Sequence, residues 1–216
     1  MNNKKWEMYI NGMQGHQSVC ETFYNIDNMR FITSLIPPDK YNRVLDIGVG
    51  EGLETSILKQ LGYNPIGIIS GEDNIRWADE HYPDIEFIEC DMHDLPFGNE
   101  TFDAIYTNQV FEHCFAPFIM LLECYAVLKK GGMMYIKMPT FMDRTTPNDP
   151  TSIDASYISH HHPSMFSPNI LKQMFEKTGF IVNMENHSEM SFLLQKGPLS
   201  FLHGDVARII EKRNNL

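Results

Sequence analysis

Between Arg43 and Pro139 the chain alternates two hydrophobic periods. Short apolar runs are each followed by a stretch whose apolar residues recur at helical spacing. Arg43 to Ile47 reads as a buried strand, and Leu53, Ile57, Leu58 and Leu61 then mark a helix closed by Gly62. Pro65 to Ile69 predicts a second strand, Asp73 to His81 a second helix, Ile85 to Cys90 a third strand and Phe102 to Thr107 a fourth. A helix is predicted over Ala116 to Lys130, with Pro117 in its first turn and Phe118, Leu121, Leu122, Tyr125 and Leu128 on one face. Lys129-Lys130-Gly131 supplies a basic end and a C-cap. Met133 to Met138 follows as a strand. Ser167 and Pro168 open another helix that runs through Leu171, Met174 and Phe175 to Gly179, and Phe180 to Met184 and Ser191 to Gln195 close the pattern as strands. Strand and helix in alternation predict a single α/β domain over residues 1–216. It is Rossmann-like, with a seven-stranded, mostly parallel sheet, helices on both faces and a ligand crevice at the carboxyl ends of the strands.

Two regions fall outside the alternation. Residues 1–40 read as an N-terminal helical lid over the sheet, with Val19, Phe23, Ile26 and Leu35 at suitable spacing. Residues 139–166 form a connection too long and too rich in Pro, Asp, Ser and His for a turn, as expected of a substrate-side loop.

The 216 residues are 43% apolar and 21% charged, which predicts a folded core. A formal charge of −11 opposes binding to a phosphate backbone or an anionic membrane, so neither nucleic acid nor membrane is an expected partner. The most apolar stretch, Phe115 to Met134, is interrupted by Glu123 and Lys129-Lys130 and is no membrane span. The opening MNNKKWEMYING lacks a signal-peptide core, and Cys20, Cys90, Cys114 and Cys124 form no C-x-x-C pair. A cytoplasmic protein with reduced thiols is therefore expected.

Candidate chemistry begins where the first strand meets the first helix. Asp46-Ile47-Gly48-Val49-Gly50-Glu51-Gly52 places three alternate glycines there, which permits positive φ and close approach of a ligand to the backbone beside unpaired helix N–H groups. A dinucleotide loop would read G-x-G-x-x-G, but Leu53 follows Gly48 by five and Thr55 follows Gly50 by five, so both registers fail. Asp46 is badly placed for a pyrophosphate and well placed for an ammonium group, so a zwitterionic amino-acid moiety fits better.

These residues resemble the first motif of the class I S-adenosylmethionine-dependent methyltransferases, a strand, an acidic residue and then G-x-G-x-G. The resemblance runs from about residue 43 onward. It implies that Asp46, Gly48, Gly50 and Gly52 hold the methionine part of S-adenosyl-L-methionine. It also implies that the last hairpin adds an antiparallel strand. The family's ribose-binding acid at the end of the second strand is replaced here by Ile69. GIISGEDN is similar instead to the cyclopropane-synthase-like variant, in which Glu72 or Asn74 would reach the ribose. Cys90-Asp91-Met92-His93-Asp94-Leu95-Pro96-Phe97 resembles the adenine motif, implying that Asp91 accepts from the exocyclic amine and the Met92 backbone N–H serves the ring. Phe102 to Ile105 and Asn108 to His113 are similar to the fourth strand and the segment beneath the cofactor, which brings in Asn108, Glu112 and His113.

The implied activity is methyl transfer to a small polar molecule, at a hydroxyl in preference to an amine, with a sugar or nucleotide-linked sugar among the acceptors considered. A hydroxyl acceptor must shed a proton, and a neutral imidazole suits that task. The candidates are His113, His161 and His162. In the run His160-His161-His162-Pro163, alternate residues face opposite sides of an extended segment. No companion metal-ligand spacing accompanies them, and no metal is expected. Two rival functions are a non-catalytic cofactor-binding protein of the same fold and a nicotinamide-dependent oxidoreductase.

Overall fold

The computed structural model describes residues 29–139, 145–146, 149–153 and 166–213. A helical stretch over 29–35 precedes β1 (Arg43–Ile47), α1 (Leu53–Gln60), β2 (Asn64–Ile69), α2 (Glu72–His81), β3 (Glu86–Glu89) and β4 (Phe102–Asn108). A short 3-10 turn over Phe111–His113 leads to α3 (Pro117–Val127) and β5 (Leu128–Lys137). β6 (Thr145–Thr146) and β7 (Asp149–Ile153) form a separate two-stranded ribbon, followed by α4 (Pro168–Lys177), β8 (Phe180–Asn186), β9 (Ser191–Lys196) and α5 (Gly204–Lys212).

Seven strands form one sheet in the order β3-β2-β1-β4-β5-β9-β8. β3, β2, β1, β4 and β5 pair in parallel, and β9 runs antiparallel to both of its neighbours, as the resemblance implied. The alternation of side chains along each strand divides the core in two. Leu45, Ile47, Ile105, Met134 and Ile136 pack with Leu121, Tyr125, Leu171 and Phe175 of α3 and α4. Val44, Ala104, Tyr106, Met133 and Tyr135 pack on the other side with Ile57 and Leu58 of α1 and with Met29, Ile32 and Ile36. The helical segment 29–35 therefore lies against the sheet. The rest of the expected lid, residues 1–28, and most of the loop at 139–166 lie outside the described residues.

The helix expected over Ala116 to Lys130 stops at Val127, because Leu128 turns extended (φ −71°, ψ 139°) and pairs with Phe102. The ladder resumes at Ala104 and Met133, so residues 129–132 form a bulge. Gly131 takes φ 72°, and a Cβ on Gly132 would stand 2.9 Å from the Lys129 carbonyl oxygen and 3.0 Å from that of Asp103. Lys129 is thus no helix-terminal cation; it reaches Asp103 Oδ1 on β4 at 2.7 Å. The sequence pattern carried no expectation for α5. A residue just beyond that helix, Arg213, secures it. Its guanidinium donates to Glu123 Oε2 at 2.6 Å, to the Phe97 carbonyl at 2.6 Å and to the Leu95 carbonyl at 2.5 Å, while Leu95 N–H donates back to Glu123 at 3.0 Å.

Both side chains of the Arg213–Glu123 pair are 16% exposed, so removing one strands a poorly solvated charge. Arg213→Ala should lower unfolding stability by about 3 kcal/mol in urea titration. A loss below ~1 kcal/mol would show that the clamp is a surface pair only.

Candidate active site

The site starts from the geometry of β1. Asp46 follows Val44 by two residues and so faces the α1 side of the sheet, where it is 2% exposed and accepts from Thr55 Oγ1 at 2.7 Å. Burial pushes its carboxyl well above the usual carboxylate range. The charge of Glu54 adds to the rise, and the Thr55 hydroxyl opposes it. Glu54 accepts from Asn108 Nδ2 at 2.9 Å, and together with burial it raises the ionisation of Tyr106 on β4. The ends of β1 and β4 thus gather two carboxylates, a phenol and an amide on one side.

Three glycines turn the chain above this cluster, all at positive φ: Gly48 at 78°, Gly50 at 54° and Gly52 at 85°. The turn is pinned by Gly48 and Val49 N–H groups, which donate to the Ile68 carbonyl at 3.1 and 3.2 Å. Gly48 is pressed against the β4–α3 connection, where a Cβ would lie 2.4 Å from a Val110 methyl. Gly50 by contrast is uncrowded, with nothing among the described residues within 4 Å of a Cβ built there. Among the described residues the turn is therefore tight at Gly48 and Gly52 and uncrowded at Gly50.

At the end of β3, Asp91 is exposed and accepts from the His93 backbone N–H at 2.9 Å and from His93 Nδ1 at 2.6 Å. These bonds hold its carboxyl below the usual range, so it stays an anion. Met92 is half-buried against the core. Asn74 donates to the Ser70 carbonyl at 3.0 Å and so steadies its own loop, while the Glu72 side chain lies outside the described residues. Asn108 keeps Oδ1 buried with no hydrogen-bond partner among the described residues. His113 is exposed on the 3-10 turn next to Glu112, which is 1% exposed. His161 and His162 lie outside the described residues.

The structure thus brings Asp46, the glycines and Asn108 to the strand ends of β1 and β4, and Asp91 to that of β3. Glu54 and His93 are participants that the motif reading passed over. Glu54 sits in the first turn of α1, where an acidic residue favourable to the helix dipole is unremarkable in sequence. His93 has a signal only in its two-residue offset from Asp91, the spacing of an Asx turn.

A methyltransferase-domain family matches residues 45–136. Among curated proteins, the ubiquinone biosynthesis O-methyltransferase of Parvibaculum lavamentivorans is 34% identical over 98 residues, covering 44% of this chain and 39% of that protein. The human mitochondrial ubiquinone biosynthesis O-methyltransferase is 31% identical over 156 residues, covering 65% of this chain and 42% of its own length. The chain thus spans about two fifths of the length of these relatives. Among solved structures, a SAM-dependent methyltransferase from Archaeoglobus fulgidus superposes with a TM-score of 0.60 at 24% identity, covering 83% of this chain and 76% of the other. Phosphoethanolamine N-methyltransferase 2 of Haemonchus contortus, solved in complex with S-adenosyl-L-methionine, gives 0.64 at 23% identity, covering 74% of this chain and 38% of that one. The fold and the glycine turn define a Rossmann-like methyltransferase domain. Over residues 45–136 the chain matches that methyltransferase-domain family, and in fold and glycine turn it is similar to the class I S-adenosylmethionine-dependent methyltransferases.

The raised ionisation of Asp46 has a definite sign. The folded protein holds this proton more tightly than the unfolded chain, whose aspartates ionise near pH 3.9. Stability is therefore lost as pH rises from that value through the raised one. Asp46→Asn removes the loss, so the ligand-free variant should melt higher than wild type at pH 8, and the gap should close toward pH 4 in thermal scans. A variant that melts lower than wild type at pH 8 would contradict the assignment.

Proposed function

We propose that the chain catalyses S-adenosylmethionine-dependent O-methylation of a small molecule. The observation that carries this reading is Asp46, a deeply buried carboxylate beside a second acid, beneath a glycine turn left uncrowded at Gly50 by the described residues. A buried anion needs a compensating partner, and an amino-acid ammonium supplies one where a diphosphate would not. The residues fit the cofactor that the family implies. Asp46 would take the ammonium, Gly48, Gly50 and Gly52 would admit the methionine tail, and Glu72 and Asn74 would serve the ribose. Asp91 and the Met92 N–H would read adenine, and the Oδ1 of Asn108, buried with no partner among the described residues, would accept a donor.

Bound there, the cofactor supplies an electrophilic methyl group. The protein's part is alignment and proton removal. Holding two reactants in attack geometry can contribute ~7–11 kcal/mol toward the barrier. An acceptor hydroxyl needs a base, and His113, on the turn that follows Val110 at the glycine loop, is assigned that role, with His161 and His162, outside the described residues, as further candidates. A hydroxyl acceptor is supported by the names of several curated relatives, which are ubiquinone biosynthesis O-methyltransferases. The sugar and nucleotide-sugar acceptors expected from sequence have no counterpart in those names, so the acceptor proposed is a hydroxyl-bearing small molecule. Cys90, Cys114 and Cys124 are free thiols, in keeping with action in the cytoplasm. Among the described residues no helix is long and apolar enough to cross a membrane.

Calorimetry tests the cofactor site directly. S-adenosylhomocysteine should bind the wild type, Asp46→Ala and Asp91→Ala should each weaken it at least ~10-fold, and NAD should give no heat. Binding of NAD in place of S-adenosylhomocysteine would reverse the reading. The catalytic assignment has its own readout: with labelled S-adenosylmethionine and a panel of phenols and alcohols, His113→Ala should cut kcat about 10²-fold. Its affinity for S-adenosylhomocysteine should stay within ~3-fold of wild type. A variant that kept full kcat would remove His113 as the base.

A further inference from the structure

We propose that His93 is a positioning residue that clamps Asp91 and thereby sets the enzyme's selectivity for the amino group of the cofactor's purine. The inference rests on the reading that adenine lies against Asp91. It is built from four contacts. Asp91 Oδ1 receives both the His93 backbone N–H at 2.9 Å and the ring Nδ1 at 2.6 Å, while His93 Nε2 lies 3.2 Å from the Ala116 N–H and 3.0 Å from Cys114 Sγ.

These contacts determine the tautomer. A backbone N–H can only donate, so Nε2 must present a lone pair toward Ala116, and the ring's single proton then sits on Nδ1, aimed at the carboxylate. Cys114 agrees with this arrangement. Burial pushes its thiol up to about 11, so it remains S–H and offers Nε2 a second donor. The imidazole is therefore held from behind by the start of α3 and bears on Asp91 from the front. Asp91 itself is exposed, and an unsupported carboxylate there would rotate freely about χ2. With Oδ1 engaged twice, the carboxylate plane is set, and its second oxygen is left to meet a donor in the crevice.

Such a device acts on selectivity. A charge-assisted hydrogen bond discriminates against a ligand lacking the donor only as far as the acceptor is held in place. Loosening Asp91 should weaken binding of an amino-bearing purine while leaving its deaminated counterpart almost untouched. A residue that merely supported the fold would shift both alike.

The experiment is calorimetry with S-adenosylhomocysteine and with its analogue lacking the exocyclic amine, on wild type, His93→Phe and His93→Asn. Wild type should prefer the amino form about 10- to 100-fold. His93→Phe fills the ring space without the N–H, and its preference should collapse to about 3-fold, chiefly through weaker binding of the amino form. His93→Asn restores an amide N–H in place of Nδ1–H and should recover most of the preference. Wild-type selectivity that survives in His93→Phe overturns the proposal while the cofactor reading stands. Wild-type protein that binds neither compound sinks both. A measurement on the unaltered chain guards against misfolded variants: long-range 1H–15N correlation of the imidazoles should show His93 with its proton on Nδ1, and a proton on Nε2 overturns the clamp.

Discussion

A carboxylate held out of water at the end of a central strand is the constraint around which the rest of the crevice is arranged. Asp46 cannot be buried at that position without help, since an isolated charge in a poorly polarisable setting reverts to its neutral form. Thr55 offers one hydroxyl, and Glu54, placed one residue earlier on the same helix, adds a second negative charge. The glycine turn above them is shaped to the same end. Its inner side is closed by Val110 and Phe87, no described residue crowds it at Gly50, and the parallel order of β2, β1 and β4 brings these parts to one edge of the sheet.

Much of this was legible in the chain because it is local. β1 matches its apolar run from Arg43 to Ile47, Gly62 takes the positive φ expected of a helix terminator, and Ser167-Pro168 marks the start of α4. The errors arise where pairing across the sheet overrides local preference. Leu128 to Gly132 reads as the end of a helix with a basic last turn, yet Phe102 draws Leu128 into the ladder and the glycines absorb the bulge. α5 lacked a strong signal because its attachment comes from Arg213 contacting Leu95, Phe97 and Glu123, which lie more than eighty residues away along the chain.

The site divides along the same line. Asp46 and the glycines announce themselves by spacing, since a turn and its flanking residues must be contiguous. The roles of Glu54 and His93 depend on neighbours from other strands and loops: Asn108 and Tyr106 for the first, Cys114 and Ala116 for the second. Only a folded chain brings such partners together, and a histidine two positions after an aspartate gives no hint of what stands behind its ring.

The sheet's one antiparallel member has a consequence for biosynthesis. β9 is threaded between β5 and β8, so the long flank of β5 stays without its hydrogen-bonding neighbour until residues 191–196 have left the ribosome. That flank carries Met133, Met134, Tyr135 and Ile136, an apolar ribbon of the kind that recruits foreign strands. The nascent chain therefore carries an open template along β5 while the segment between β5 and β9 is being made. Chaperone dependence should be concentrated in that interval.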